Sequence, residues 1–202
     1  MALDARVLLH PTELADQDLP KLAIRPYPLQ YVQPWTLKNE ASVTIRPIRP
    51  EDEPLMARFH ETLSDRSVHF RYFHMIGLSE RVAHERLARI CFVDYDREMV
   101  LAVEHSQLGG VPEIIAVGRL TKLHTGREAE FALVVSDRYQ GQGLGTELLR
   151  RLLSVARDEG IQRVVGYVLP ENSAMQGVCK KLGFSLAYDT EAGVIRAEAS
   201  IS

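Results

Sequence analysis

From Val134 to Thr146 the chain reads Val-Val-Ser-Asp-Arg-Tyr-Gln-Gly-Gln-Gly-Leu-Gly-Thr, and this stretch restricts the fold more than any other. An alternating apolar run, residues 128–136, ends here. Three glycines follow within five residues, at Gly141, Gly143 and Gly145. A helical run then extends from Gln142 to Glu159, with Leu148, Leu149, Leu152 and Ala156 on one face and Gly160 as its stop. A strand must therefore turn directly into a helix. Glycine admits positive φ and lets a ligand approach the backbone. The first amides of such a helix lack internal partners and sit at the positive end of its dipole, which suits a diphosphate. The glycines alone are equally compatible with a plain turn. Two other phosphate loops are excluded. A Walker loop ends in Gly-Lys-Ser/Thr, whereas Gly145 is followed by Thr146 and Glu147. In the dinucleotide loop the third glycine comes three residues after the second, whereas Gly145 follows Gly143 by two.

The surrounding pattern is an α/β mixture. Strands are expected at 42–48, 98–106, 112–124, 128–136, 162–169, 183–190 and 193–200, the run from 98 to 136 forming an antiparallel meander. Helices are expected at 50–64, at 79–90 with Ser79 as cap, and at 171–182; residues 67–74 read as an aromatic-rich loop. Residues 1–40 differ. A short strand at 2–9 precedes Pro20, Pro26, Pro28 and Pro34, whose fixed φ and missing donors make the stretch extended and irregular. It either wraps another surface or links to a further domain, and the link is the expectation carried forward.

Composition sets the outer bounds. At 202 residues and 46% apolar, the chain can bury a full core without staples. Two cysteines exclude a disulfide framework and a four-cysteine zinc site, and the seven histidines show no metal-ligand pairing. No metal is expected. A net charge of −3 gives no reason to expect nucleic acid, and no apolar run reaches the length that spans a membrane. A cytoplasmic protein is expected.

Arg138-x-x-Gly141-x-Gly143 resembles the Gln/Arg-x-x-Gly-x-Gly/Ala signature of the GNAT acyltransferases, and Glu171-Asn172-x-x-Met175 with Lys181-Leu182-Gly183-Phe184 resembles that family's later helix and strand. The resemblance covers residues 42–200. It implies an α/β GNAT fold, with a mixed, mostly antiparallel central sheet splayed at the acyl-CoA site and flanked by helices. It implies acetyl-CoA as acyl donor, held by Leu133, Val134 and Val135 along the pantetheine arm and by Arg138, Gln140, Gly141, Gln142, Gly143, Leu144, Gly145 and Thr146 around the diphosphate. Asn172 and Met175 would approach the arm from the next helix, and Asn172 also suits a helix N-cap. Arg150, Arg151 and Lys180 are candidates for the 3′-phosphate.

A finer likeness selects one branch. Ile45-Arg46-Pro47-Ile48-Arg49-Pro50-Glu51-Asp52 through Phe92-Val93-Asp94-Tyr95-Asp96-Arg97-Glu98 resembles the catalytic domain of bacterial Pat-type protein lysine acetyltransferases. Residues 1–40 resemble the tail of the ATP-grasp part of an acyl-CoA synthetase-like region that precedes this domain in Pat-type proteins. The expected division is therefore a remnant or linker at 1–40 and a GNAT domain at 41–202. The expected acceptor is a lysine of a protein, with acyl-CoA synthetases as the family's targets.

A lysine has an ordinary pKa of about 10.4, arrives protonated and needs a base. Pat-type proteins use a glutamate at the position matching Glu130. On spacing alone Glu130 is an exposed carboxylate of an alternating strand, and Glu128 is its same-face control. Many GNAT enzymes carry a tyrosine four residues before the glycine equivalent to Gly183, and here that residue is Cys179, either buried filler or a chemical group. The acid is unassigned, with Ser136 or a water as substitutes. Arg66, Arg71, Tyr72 and Phe73, with His69 and His74, lie where the family borders its acceptor site. Two other functions stay open: a small-amine N-acetyltransferase, and a non-enzymatic module that senses acyl-CoA.

Overall fold

The computed structural model describes residues 25–106, 110–123 and 126–201. The strand expected at 2–9 lies outside them. Among the described residues, strands β1 (Gln33–Thr36), β2 (Ser42–Pro47), β3 (Glu98–His105), β4 (Glu113–Lys122), β5 (Glu128–Val135), β6 (Arg163–Val168), β7 (Ser185–Asp189) and β8 (Val194–Ser200) form one sheet. Its order is β1-β2-β3-β4-β5-β6-β8-β7, and only β5 and β6 run parallel. Helices α1 (Glu53–Glu61), α2 (Asp65–Tyr72), α3 (Leu78–Arg81) and α4 (His84–Cys91) lead from β2 to β3, α5 (Leu144–Asp158) joins β5 to β6, and α6 (Ser173–Lys181) precedes β7. No helix among the described residues is long and apolar enough to cross a membrane.

The sheet is buried on both faces, which explains why β3 reads as a nearly continuous apolar run. Leu101 and Val103 join the core under α5, with Leu148, Leu149 and Leu152. Val100 and Ala102 point the other way, toward Met56 and Phe59 of α1 and Leu87 of α4. β4 lies close enough to α5 that a Cβ on Gly118 would come within 2.8 Å of Leu148 Cγ. The expected meander is present as β3, β4 and β5.

Three readings change. The helix expected at 50–64 begins as a 3-10 turn at Pro50–Asp52 and ends at Glu61. The expected loop at 67–74 is largely helix α2, capped by Ser64, whose Oγ accepts from the Ser67 amide at 3.2 Å. Only Ser67 and Val68 of α2 are buried, so the helix leaves no apolar stripe in the sequence. The helix expected at 79–90 is two helices, with Gly77 rather than Ser79 at the first N-cap and an extended Ala83 between them. Arg81 is buried at this break. It donates from Nε to the Ile76 carbonyl at 3.1 Å and from a terminal nitrogen to the His60 carbonyl at 2.8 Å.

Residues 25–36 wrap the body of the sheet. β1 pairs with β2 from Gln33↔Ile45 to Thr36↔Ser42, an edge position that tolerates Pro34. Arg25 bridges Glu159 at 2.6 Å and Asp96 at 3.0 Å, and Tyr31 donates to Asp158 at 3.0 Å.

The opening in the sheet has a local cause. β5 and β6 pair only at Glu128↔Arg163, Ala129↔Val164 and Glu130↔Val165. At the next position the Phe131 ring lies against Gly166, where a Cβ would meet Phe131 Cε1 at 2.2 Å. Phe131 also packs edge-on against Phe184, with centroids 5.3 Å apart. Past this wedge the strands separate. Gly166→Ala is therefore expected to cost about 1–3 kcal/mol in urea unfolding through overpacking. Combining it with Phe131→Leu should lose at least about 0.5 kcal/mol less than the sum of the two single losses, because the added methyl then has room. Strict additivity would mean that the ring does not hold the strands apart.

Candidate active site

Where β5 and β6 part, a cleft of about 550 Å³ opens, bounded by β5, the start of α5, β6 and α6. Of the residues expected to hold the donor, Leu133, Val134, Val135, Gln140, Gly141, Gly143, Leu144, Gly145, Thr146, Asn172 and Met175 line it. Arg138 and Gln142 belong to the same turn but do not line the cleft.

The turn is built as its glycines require. Gly141 has φ +75° and Gly143 φ +91°, the left-handed region that other residues seldom adopt. Among the described residues the amides from Gly141 to Thr146 have no main-chain acceptor, and the first helical bond runs from the Glu147 amide to the Gly143 carbonyl at 3.1 Å. These donors, at the positive end of α5, fit a diphosphate. Asn172 caps α6, its Oδ1 accepting from the Met175 amide at 3.1 Å, while it also lines the cleft. The Val135 carbonyl accepts from Gln140 Nε2 at 3.1 Å.

Other residues at the cleft lie outside the donor motif, Arg66 and Arg71 among them, both expected at the acceptor border. Lys38 donates to the Gly141 carbonyl at 3.3 Å, and a Cβ on Gly143 would sit 3.4 Å from the Trp35 ring. Both residues come from the segment read as a remnant or linker. Helix α2 supplies Arg66, Ser67, Phe70 and Arg71. It is tied to the cradle through Asp137, which accepts from the Ser64 amide at 2.9 Å, the Ser64 hydroxyl at 2.7 Å and the Ser67 hydroxyl at 2.9 Å. Partial burial works against the Asp137 carboxylate, but the bonds from Ser64 and Ser67 hold its pKa below the usual value.

A second cavity, of about 450 Å³, lies on the α1–α4 side of β5 and shares Arg71, Ala132 and Val134 with the cleft. Glu130 belongs to that face by strand alternation. It is half-buried beside Thr121 and Val165, at the last rung before the strands part. Among the described residues its carboxylate makes no hydrogen bond or ion pair, although it acts electrostatically on Arg71. It does not itself line either cavity. Glu128, by contrast, is engaged in an ion pair with Arg163.

The remaining candidates are placed elsewhere. Cys179 is fully buried in the α5-side core, and burial pushes its thiol up to about 11. The Ser136 hydroxyl is buried, without a partner among the described residues, and off the cleft lining. Arg150 and Arg151 pair with Glu147, and Arg151 also reaches the Pro34 carbonyl at 3.3 Å, so both fasten local structure. Neither they nor Lys180 line the cleft. His69 lies 3.6 Å from Glu171 at the cleft's rim, and His74 is exposed.

The acetyltransferase (GNAT) domain model matches residues 42–185. Acetyltransferase PA5475 of Pseudomonas aeruginosa is 30% identical over 149 residues, which is 74% of this chain and 78% of that protein. Acetyltransferase Pat of Mycolicibacterium smegmatis is 30% identical over 158 residues; the match covers 78% of this chain but 45% of that protein's length. The crystal structure of the GNAT domain of S. lividans PAT superposes with a TM-score of 0.77 at 30% identity, covering 87% of this chain and 99% of that one. The chain thus belongs to the GNAT acetyltransferase family, whose acyl donor is acetyl-CoA.

Proposed function

We infer that this domain transfers the acetyl group of acetyl-CoA to the ε-amine of a lysine in a protein, with an acyl-CoA synthetase as the target. The observation that carries this reading is the Glu130 carboxylate, uncommitted to any described partner, on the rung where β5 and β6 part. The likeness to Pat proteins on both sequence and fold supports the lysine as acceptor. In the cell the reaction belongs in the cytoplasm, and the segment 1–40, whose residues 33–36 add β1 to the domain's sheet, leads from an upstream synthetase-like region.

The chain's residues divide the work. The amides from Gly141 to Thr146 hold the donor's diphosphate, and the edges of Leu133 and Val135 align the arm so that its thioester lies near the base of the wedge. The family's chemistry is direct transfer within a ternary complex, which needs no acyl-enzyme. Glu130, directly or through one water, takes a proton from the lysine ammonium. The amine nitrogen then bonds to the thioester carbon, the adduct nitrogen gives up its second proton to water, and collapse of the adduct breaks the carbon–sulfur bond. A thiol has an ordinary pKa of about 8.5, so the sulfur departs partly as thiolate and is protonated by water. Buried Cys179 takes no part.

Two measurements test this. Glu130→Gln should leave the affinity for acetyl-CoA unchanged by calorimetry and lower kcat at pH 7 by about 10²–10⁴-fold, the usual worth of a positioned base. Its residual rate should climb about tenfold per pH unit between pH 7 and 9, following the free amine. A kcat near wild type at pH 7 would remove Glu130 from the mechanism. Separately, Gly143→Ala forces a side chain into the left-handed region beside Trp35. A backbone cost of about 1–2 kcal/mol predicts an acetyl-CoA Kd about 5–30-fold higher with the circular dichroism unchanged.

A further inference from the structure

The cavity on the α1–α4 side of β5 is lined by Arg71, Arg86, Arg89 and Arg119, against Glu80 and Glu85. Only Arg119 has an ion-pair partner among the described residues, Glu98 at 3.2 Å. The Arg71 and Arg86 guanidiniums each sit 5.0 Å from the centroid of the Tyr72 ring, which orients both. Arg86 Nε is buried without a hydrogen-bond partner among the described residues. So are both ring nitrogens of His60, which is 1% exposed and lines the same cavity. Burial, reinforced by Arg81, Arg86 and Arg71, pushes the His60 ring down to about 4, so it stays neutral and adds a donor without adding charge.

Unpartnered guanidiniums and a buried donor around one cavity call for an anion. The cavity's position selects which one. None of the cradle residues from Gly141 to Thr146 lines it, so it is not a second diphosphate site. It meets the donor cleft at Arg71, Ala132 and Val134, the part of the cleft next to Glu130 along β5. An occupant there lies on the acceptor side of the reacting centre. Guanidinium forks match the geometry of a carboxylate, and four arginines repel a polyamine.

We propose that this arginine-lined cavity is an acceptor subsite that binds a carboxylate carried by the substrate beside its reacting amine. The proposal rests on the amine-acetylation reading above and narrows it. Glu130 faces the amine and the arginines hold the anion, so the acceptor is a lysine with an acidic neighbour, or an amino acid with its own carboxylate. A lysine flanked by basic residues is disfavoured.

The test follows thiol release from acetyl-CoA by the whole chain with paired acceptors. One pair is a lysine peptide with a neighbouring Glu and the same peptide with Gln. The other is a free amino acid and its carboxamide. The carboxylate member of at least one pair is expected to show a kcat/KM about tenfold or more above its neutral partner, mainly through KM, as for hydrogen bonds to a charged group. Arg86→Gln should remove that preference, and Arg86→Lys, which keeps charge without the fork, should restore part of it. A preference confined to the free amino acid sustains the carboxylate subsite and overturns the protein-lysine reading. Equal rates within both pairs, an undiminished preference in Arg86→Gln, or no turnover of any carboxylate form overturns the subsite itself.

Discussion

The early end of the β5–β6 ladder, beside the contact between the Phe131 ring and Gly166, sets where the cleft opens. Two parallel strands that start out paired would ordinarily continue to their ends, since every unpaired amide and carbonyl in the interior is costly. Here the ladder stops at Glu130↔Val165, and on the core face just beyond it the Phe131 ring covers Gly166, whose missing Cβ leaves room for it. Beyond Glu130↔Val165 the facing edges of β5 and β6 no longer pair with each other, so in the proposed reaction an extended ligand can take the place of the interrupted ladder. Placing the glycine turn directly after the freed edge then brings the α5 amides to the far end of that same arm.

Asp137 links this donor site to the acceptor side. One carboxylate on the turn between β5 and α5 receives both ends of the Ser64 main-chain and side-chain pair, and the Ser67 hydroxyl as well. Gln140 closes the circuit by donating to Ser67 Oγ at 3.0 Å and to the Val135 carbonyl. Helix α2 is thereby fixed to the cradle, and α2 is what carries Arg71 to the wall between the two cavities.

The parts of the molecule that were legible in the sequence are those governed by local rules. The strand-glycine-helix junction, the meander and the face of α5 follow from backbone sterics and periodicity, and all three are present. Residues that act across long separations leave no such trace. Lys38 and Trp35 meet the cradle only because β1 pairs with β2, and four-residue β1 has too little alternation to announce itself. Helix α2 escapes for the same reason: its cap and its contacts to Asp137 form it, not an apolar stripe. Arg81 is charged and sits in what reads as a surface helix, yet it is buried, because two main-chain carbonyls from other elements accept its protons.

The fate of each arginine separates structure from chemistry. Arg46 is almost fully buried, and both guanidinium ends are matched: Asp52 takes a bidentate pair at 2.6 and 2.7 Å, and Glu104 accepts at 2.7 and 2.9 Å. Burial disfavours its charge, but Asp52 and Glu104 hold its pKa above the ordinary value, so the ion is internally complete. Arg25 and Lys122 share Glu159 in the same complementary way. Structural cations here are met by carboxylates, as at Arg46, Arg25 and Lys122, or by main-chain carbonyls, as at Arg81. Arg71 and Arg86 break that pattern in one place, on the wall of a cavity that meets the donor cleft. Burial lowers the Arg71 pKa, and Arg119 and Arg86 lower it further against the pull of Tyr72 and Glu130. Both guanidiniums are held by the Tyr72 ring with no ion pair among the described residues, and the proposed carboxylate would supply one. That is the physical signature of a binding subsite, and it ties acceptor choice to the same strand, β5, that aligns the donor.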